Sequence, residues 1–152
     1  MADDAPTVIA IIQATLAPIF LVSGGAIFLN FTQARLFRVI DRLRQIGKEL
    51  DHASPNVEPD LRWQRDRHLV RAVILRNAIL FGVLVIAFTV ITALLLLFSG
   101  VESGVGTGRW PLLTFGLAMV AFAVALGLVV VDAFLSVAAA RHAAREFHEG
   151  RR

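Results

Sequence analysis

AILFGVLVIAFTVITALLLLF, residues 78–98, decides the fold. Thr89 and Thr92 are its only polar side chains, and no charge interrupts it. A helix rises about 1.5 Å per residue, so a run of this length crosses the roughly 30 Å hydrocarbon core of a bilayer. Two further runs match it. Residues 8–29 are apolar except for Gln13, Thr15 and Ser23, and contain Pro18 and the pair Gly24-Gly25. Residues 112–131 form the third.

Composition agrees. The 152-residue chain is 57% hydrophobic with a mean hydropathy of +0.69, where soluble domains average about 45–50% apolar. The expected fold is an all-α membrane protein, a single membrane domain with three transmembrane helices. Met1-Ala2-Asp3-Asp4 lacks the basic start of a cleaved signal peptide, so the first run reads as a retained span. With no cysteine, disulfides, thiolate metal sites and thiol nucleophiles are excluded.

Orientation follows from the arginines. Ten basic residues lie between the first two runs and four in the tail at about 141–152; the loop between the second and third runs holds only Arg109. By the positive-inside rule the N-terminus lies outside a bacterial inner (plasma) membrane and the C-terminus in the cytoplasm. Trp110 beside Pro111 fits an interfacial anchor on the outer side. The outer loop, residues 99–108, is glycine-rich and reads as a connector. No Lys-Ser/Thr follows its glycines, as a phosphate-binding loop would need.

The segment at about 31–77 reads as a cytoplasmic helical hairpin. Leu36, Val39, Leu43, Ile46 and Leu50 repeat in alternating steps of three and four, the spacing of a coiled-coil assembly seam. The first helix therefore continues to about Leu50. Residues 51–60 read as a turn, with Asp60 the expected N-cap of a second helix from Leu61 that runs into the second span. Trp63, Leu69, Val70, Val73 and Ile74 give this helix an apolar side. The same stripe also reads as a helix lying on lipid headgroups, but that needs a bend near Asn30, where no proline or glycine stands.

APIFLVSGGAIFLN at 17–30, followed by Arg35-Leu36 and Ile40-Asp41-Arg42-Leu43-Arg44, resembles the bacterial membrane family catalogued as domain of unknown function 2721. Arg71 and Arg76 ahead of the second span are similar too, as is one acidic residue late in the third, where the family typically has Glu and this chain has Asp132. The resemblance covers most of the chain. It implies three spans and no activity.

Asp132 is the only carboxylate in or near a span. Counted from Trp110 it lies roughly 30 Å along the helix, at the inner edge of the hydrocarbon. A carboxylate there needs a partner, and Arg35, Arg38 and Arg76 are expected at the same depth as inner-mouth charges. The pairing is either a structural bridge or part of a charged ring at a pore mouth. Gln13, Ser23 and Asn30 are the polar intramembrane residues of the first span; they either bond helix to helix or line a hydrated path. Gly24 and Gly25, and Ala123 with Gly127, are small residues suited to helix packing. His142, Glu146 and Glu149 share a tail face, as many solvated residues do, and are not read as a metal site. No cofactor, no metal and no catalytic residue is expected, because no triad, paired-carboxylate or H-E-x-x-H pattern occurs.

Three function classes remain. The first is a homo-oligomeric pore with the first span lining the path; three spans are too few to enclose one alone. The second is a membrane scaffold or regulatory subunit whose basic hairpin binds a protein partner. The third is a hairpin that binds anionic lipid or another phosphate-bearing ligand, at about 1 kcal/mol per basic residue. Nucleic acid is not an expected partner: the hairpin's ten bases face six acids, leaving +4, with no groove-reading motif. The sequence favours the pore.

Overall fold

The computed structural model describes the backbone of residues 4–101 and 109–149, and the side chains of residues 16, 18–98 and 109–137. Gln13, the loop glycines 104, 106 and 108, and His142, Glu146 and Glu149 of the tail lie outside the described side chains. The described residues form three α-helices: α1 (Asp4–Leu50), α2 (Glu58–Val101) and α3 (Arg109–Glu149). All three are long and apolar enough to cross a membrane.

The helices have 47, 44 and 41 residues. At about 1.5 Å per residue each is about twice as long as the roughly 30 Å apolar core. Each apolar run therefore continues as helix into a charged stretch, because no breaker ends it.

The first connection departs from the expected turn. Glu58 accepts the helical conformation three residues ahead of Leu61, and Asp60 is not the cap. Val57 supplies the first helical acceptor, taking the Leu61 N–H at 3.2 Å, and Ser54 O accepts from Val57 at 3.0 Å and Glu58 at 3.2 Å. Pro59 then falls in the first turn, where its missing N–H leaves no bond unmade. Asp60 instead accepts from the Gln64 amide at 3.0 Å.

Buried positions recur every seven residues. The series is Pro18, Gly25, Thr32, Val39 and Ile46 on α1, and Pro111, Ala118, Ala125 and Asp132 on α3, with Phe28 and Ala121 buried beside it. On α2, Leu75, Ala78, Gly82, Val85, Thr89 and Thr92 alternate in steps of three and four. A seven-residue period keeps one face turned inward along a long helix.

The chain divides into two compact units. One comprises residues 1–31 and 80–124. There Phe28 meets Phe122 edge to face at 5.8 Å, and Gly82 lets α1 approach so closely that a Cβ would lie 2.7 Å from Leu29 Cδ2. Thr92 donates to Thr114 at 2.8 Å, tying α2 to α3. The other comprises residues 32–79 and 125–152. Its core holds Val39, Ile46, Leu61, Leu75, Ala78 and Ala125, together with Thr32 and Asp132.

Candidate functional site

Asp132 has no exposed surface. It occupies the fourth position of the inward register that begins at Pro111, so α3 turns its carboxylate into the second unit rather than away from it. Arg71 Nε of α2 donates to Oδ1 at 2.9 Å. Arg35 Nη2 of α1 lies 3.1 Å from Oδ2, angled as an ion pair rather than a hydrogen bond. One carboxylate thus joins three helices. The arginine side chains keep only 20% and 18% of their surface exposed, so solvent screens the pair weakly and loss of one partner would strand a charge.

Beside this bridge lies a cavity of about 210 Å³, lined by Arg35, Arg38, Val39, His68 and Arg71. Arg38 sits one turn on from Arg35, and its Nε donates to its own helix at Ala34 O, 3.3 Å away. It makes no ion pair among the described residues. His68 follows Leu61 by seven residues and precedes Leu75 by seven, which carries it onto the inward side of α2. Its Nδ1 is buried and has no hydrogen-bond partner among the described residues. Three arginines and one imidazole therefore line one cavity, and two of those arginines pair with Asp132.

The remaining residues singled out in the sequence are scattered. Arg76 is exposed and in no ion pair among the described residues. Of the three arginines expected near Asp132, only Arg35 touches it. Ser23 is exposed, donates to Ile19 O at 3.1 Å, and borders a largely apolar cleft of about 400 Å³ between α1 and α2. Asn30 is exposed on the same helix. Gly25 is buried with Ile86 Cγ1 at 3.4 Å from where a Cβ would stand, while Gly24 and Gly127 have open space there and Ala123 is exposed. Val39 and Ile46 are buried within the single chain, and Leu36, Leu43 and Leu50 are half-buried.

Sequence reasoning missed Arg71 as the second partner of Asp132, His68 as a cavity wall, and Gly82 as a tight contact with α1. The available signal was the register. Leu61, His68, Leu75, Gly82 and Thr89 are spaced by seven, so His68 and Gly82 share a face with two core leucines.

A second feature of this unit is an apolar stripe that stays exposed among the described residues. Trp63 is 51% exposed and Val70 and Val73 are each 55% exposed. Steps of seven and three put them on one side of α2. The Arg67 guanidinium stacks on the Trp63 ring, 4.6 Å from its centroid, a contact that holds the indole in place. Among the described residues no three His, Asp or Glu side chains are grouped to hold a metal ion.

A family model described as protein of unknown function (DUF2721) matches residues 15–142. No curated protein and no solved structure matches the chain.

Proposed function

The chain belongs to the DUF2721 family, a family of unknown function, and from that premise we propose that it is a membrane scaffold or regulatory subunit that holds a protein partner against a helical arm in the cytoplasm. The observation that carries this reading is the exposed Trp63–Val70–Val73 stripe. Trp63 lies fifteen residues ahead of the apolar run that starts at Ala78, about 22 Å at helical rise and so beyond the headgroups. An apolar stripe standing in water marks a contact surface. The Asp132 bridge supports the same reading, since it ties α1, α2 and α3 together behind the stripe and makes the surface stiff.

A photo-crosslinking residue at position 70, introduced in cells, tests the proposal. The expected result is a discrete adduct to a second kind of protein, absent when the probe stands at Arg44. Adducts to lipid alone, or none, would remove the scaffold. An adduct of twice the chain's mass would make the partner a second copy.

One observation favours the homo-oligomeric pore as a second reading. Asn30 and Ser23 are exposed on α1 of a single copy, and several copies could turn them toward a shared path. The apolar walls of the cleft beside Ser23 weigh against a hydrated path. Ion flux through liposomes holding the purified protein separates the two; no flux across several ions and both polarities ends the pore.

We also infer an inner-membrane location with the N-terminus outside, and no enzymatic activity. The fourteen-to-one distribution of basic residues supports the first. The absence of an acid–base pair around Asp132 supports the second, because both neighbours that touch it are arginines.

A further inference from the structure

We propose that the cavity between Arg35, Arg38, His68 and Arg71 is a binding site for a phosphate group. The reason begins with charge. Three arginines line the cavity and only one carboxylate, Asp132, pairs with two of them, which leaves an excess of two positive charges when the imidazole is neutral. Arg35 and Arg71 are held in place by Asp132 and both line the cavity. Preset guanidinium groups of this kind suit the oxygens of phosphate, which accept paired hydrogen bonds.

The second reason is the unanswered polar atom. His68 Nδ1 is buried with no hydrogen-bond partner among the described residues. A buried polar atom left without a partner is destabilising by about 1–3 kcal/mol, and an acceptor oxygen in the cavity would answer it if the proton sits on Nδ1. The third reason is room. A water occupies about 30 Å³, so the roughly 210 Å³ of space takes a phosphate group with bridging waters.

Position limits the source. Arg35 lies six residues past Leu29, and Arg71 seven residues ahead of Ala78. At helical rise these are about 9 and 10 Å beyond the apolar runs, within side-chain reach of a headgroup layer roughly 5–8 Å thick. The phosphate can therefore arrive on an anionic phospholipid or as a soluble phosphate compound. The site is independent of the protein-binding stripe, which lies on another side of α2.

The experiment uses the full chain in detergent–lipid mixed micelles and in nanodiscs. In the lipid arm, native mass spectrometry measures retention of phosphatidic acid against phosphatidylcholine. In the soluble arm, thermal melting in phosphatidylcholine nanodiscs is followed as inorganic phosphate is added, with chloride at matched ionic strength as reference. Retention of phosphatidic acid identifies a lipid phosphate; phosphate-specific stabilisation without lipid selection identifies a soluble one. Arg38→Gln should weaken whichever signal is found about tenfold, the effect of one hydrogen bond to a charged group. His68→Phe keeps the chain's cationic arginines but removes the buried imidazole nitrogen, and should weaken the signal about tenfold. Arg44→Gln, at an exposed arginine outside the cavity, should leave it unchanged. Neither signal in wild type would overturn the proposal. So would equal losses in Arg38→Gln and Arg44→Gln, or full binding by folded His68→Phe, because either result means diffuse attraction rather than a site.

Discussion

A carboxylate with no exposed surface needs both oxygens answered, and Asp132 has Arg71 on one and Arg35 on the other. Removing the acid leaves two half-enclosed arginines facing each other. Asp132→Leu is therefore expected to destabilise the protein by about 3–5 kcal/mol, read from unfolding in detergent. Replacing all three residues with leucine should restore most of that loss, because no charge is then stranded. If Asp132→Leu melts like the wild type, the bridge does not hold the helices together. Arg38 belongs to the same cluster but touches no acid among the described residues, so Arg38→Gln should leave the melting temperature within experimental scatter. The residue type of Asp132 and its need for an arginine were legible in the sequence. The identity of the arginines was legible for Arg35 alone.

At the scale of the element, Gly82 is the described glycine with least room for a side chain, ahead of the Gly24-Gly25 pair that the sequence points to first. A leucine at position 82 would drive its Cβ against Leu29 and Phe28. Gly82→Leu should cost about 1–3 kcal/mol, as overpacking does. Gly24→Ala meets nothing within 4 Å in the single chain and should be neutral or slightly stabilising through helix propensity. If Gly24→Ala instead changes the size of the particle, copies meet along that face of α1. The Thr92–Thr114 bond is a smaller tie between helices. Thr92→Val should lower stability by about 0.6 kcal/mol, the usual worth of such a bond in a membrane.

For the whole molecule, orientation and copy number decide which surfaces meet water, lipid or another chain. The chain has no cysteine, so single cysteines can be placed at will. Substitutions at Asp3 and Ser103 should react with an impermeant thiol reagent on intact cells, and one at Asn56 only after permeabilisation. Reaction at Asn56 alone on intact cells would invert the topology. Copy number follows from native mass spectrometry. Exposed Ile19, Phe20 and Ile27 on α1 are covered by lipid in a monomer and by neighbouring chains in an oligomer. A Val70→Glu substitution separates the two surfaces: it should release a protein partner without changing the melting temperature, since the side chain is 55% exposed.

The three helices were determined by the sequence itself. Transfer of a side chain into hydrocarbon is a local property that adds up along about 20 residues, so each apolar run declares itself without its neighbours. The continuation of α1 to Leu50 was likewise readable, because nothing in that stretch breaks a helix. The start of α2 at Glu58 was not, since several residues near Pro59 could serve as the cap. Only the tertiary structure chose the partners of Asp132. Arg35 and Arg38 stand three residues apart, close in height and separated by about 60° around the helix. The rotation of α1 against its neighbours, which the packing of whole faces sets, decides which of them meets the carboxylate and which is left to line the cavity with His68.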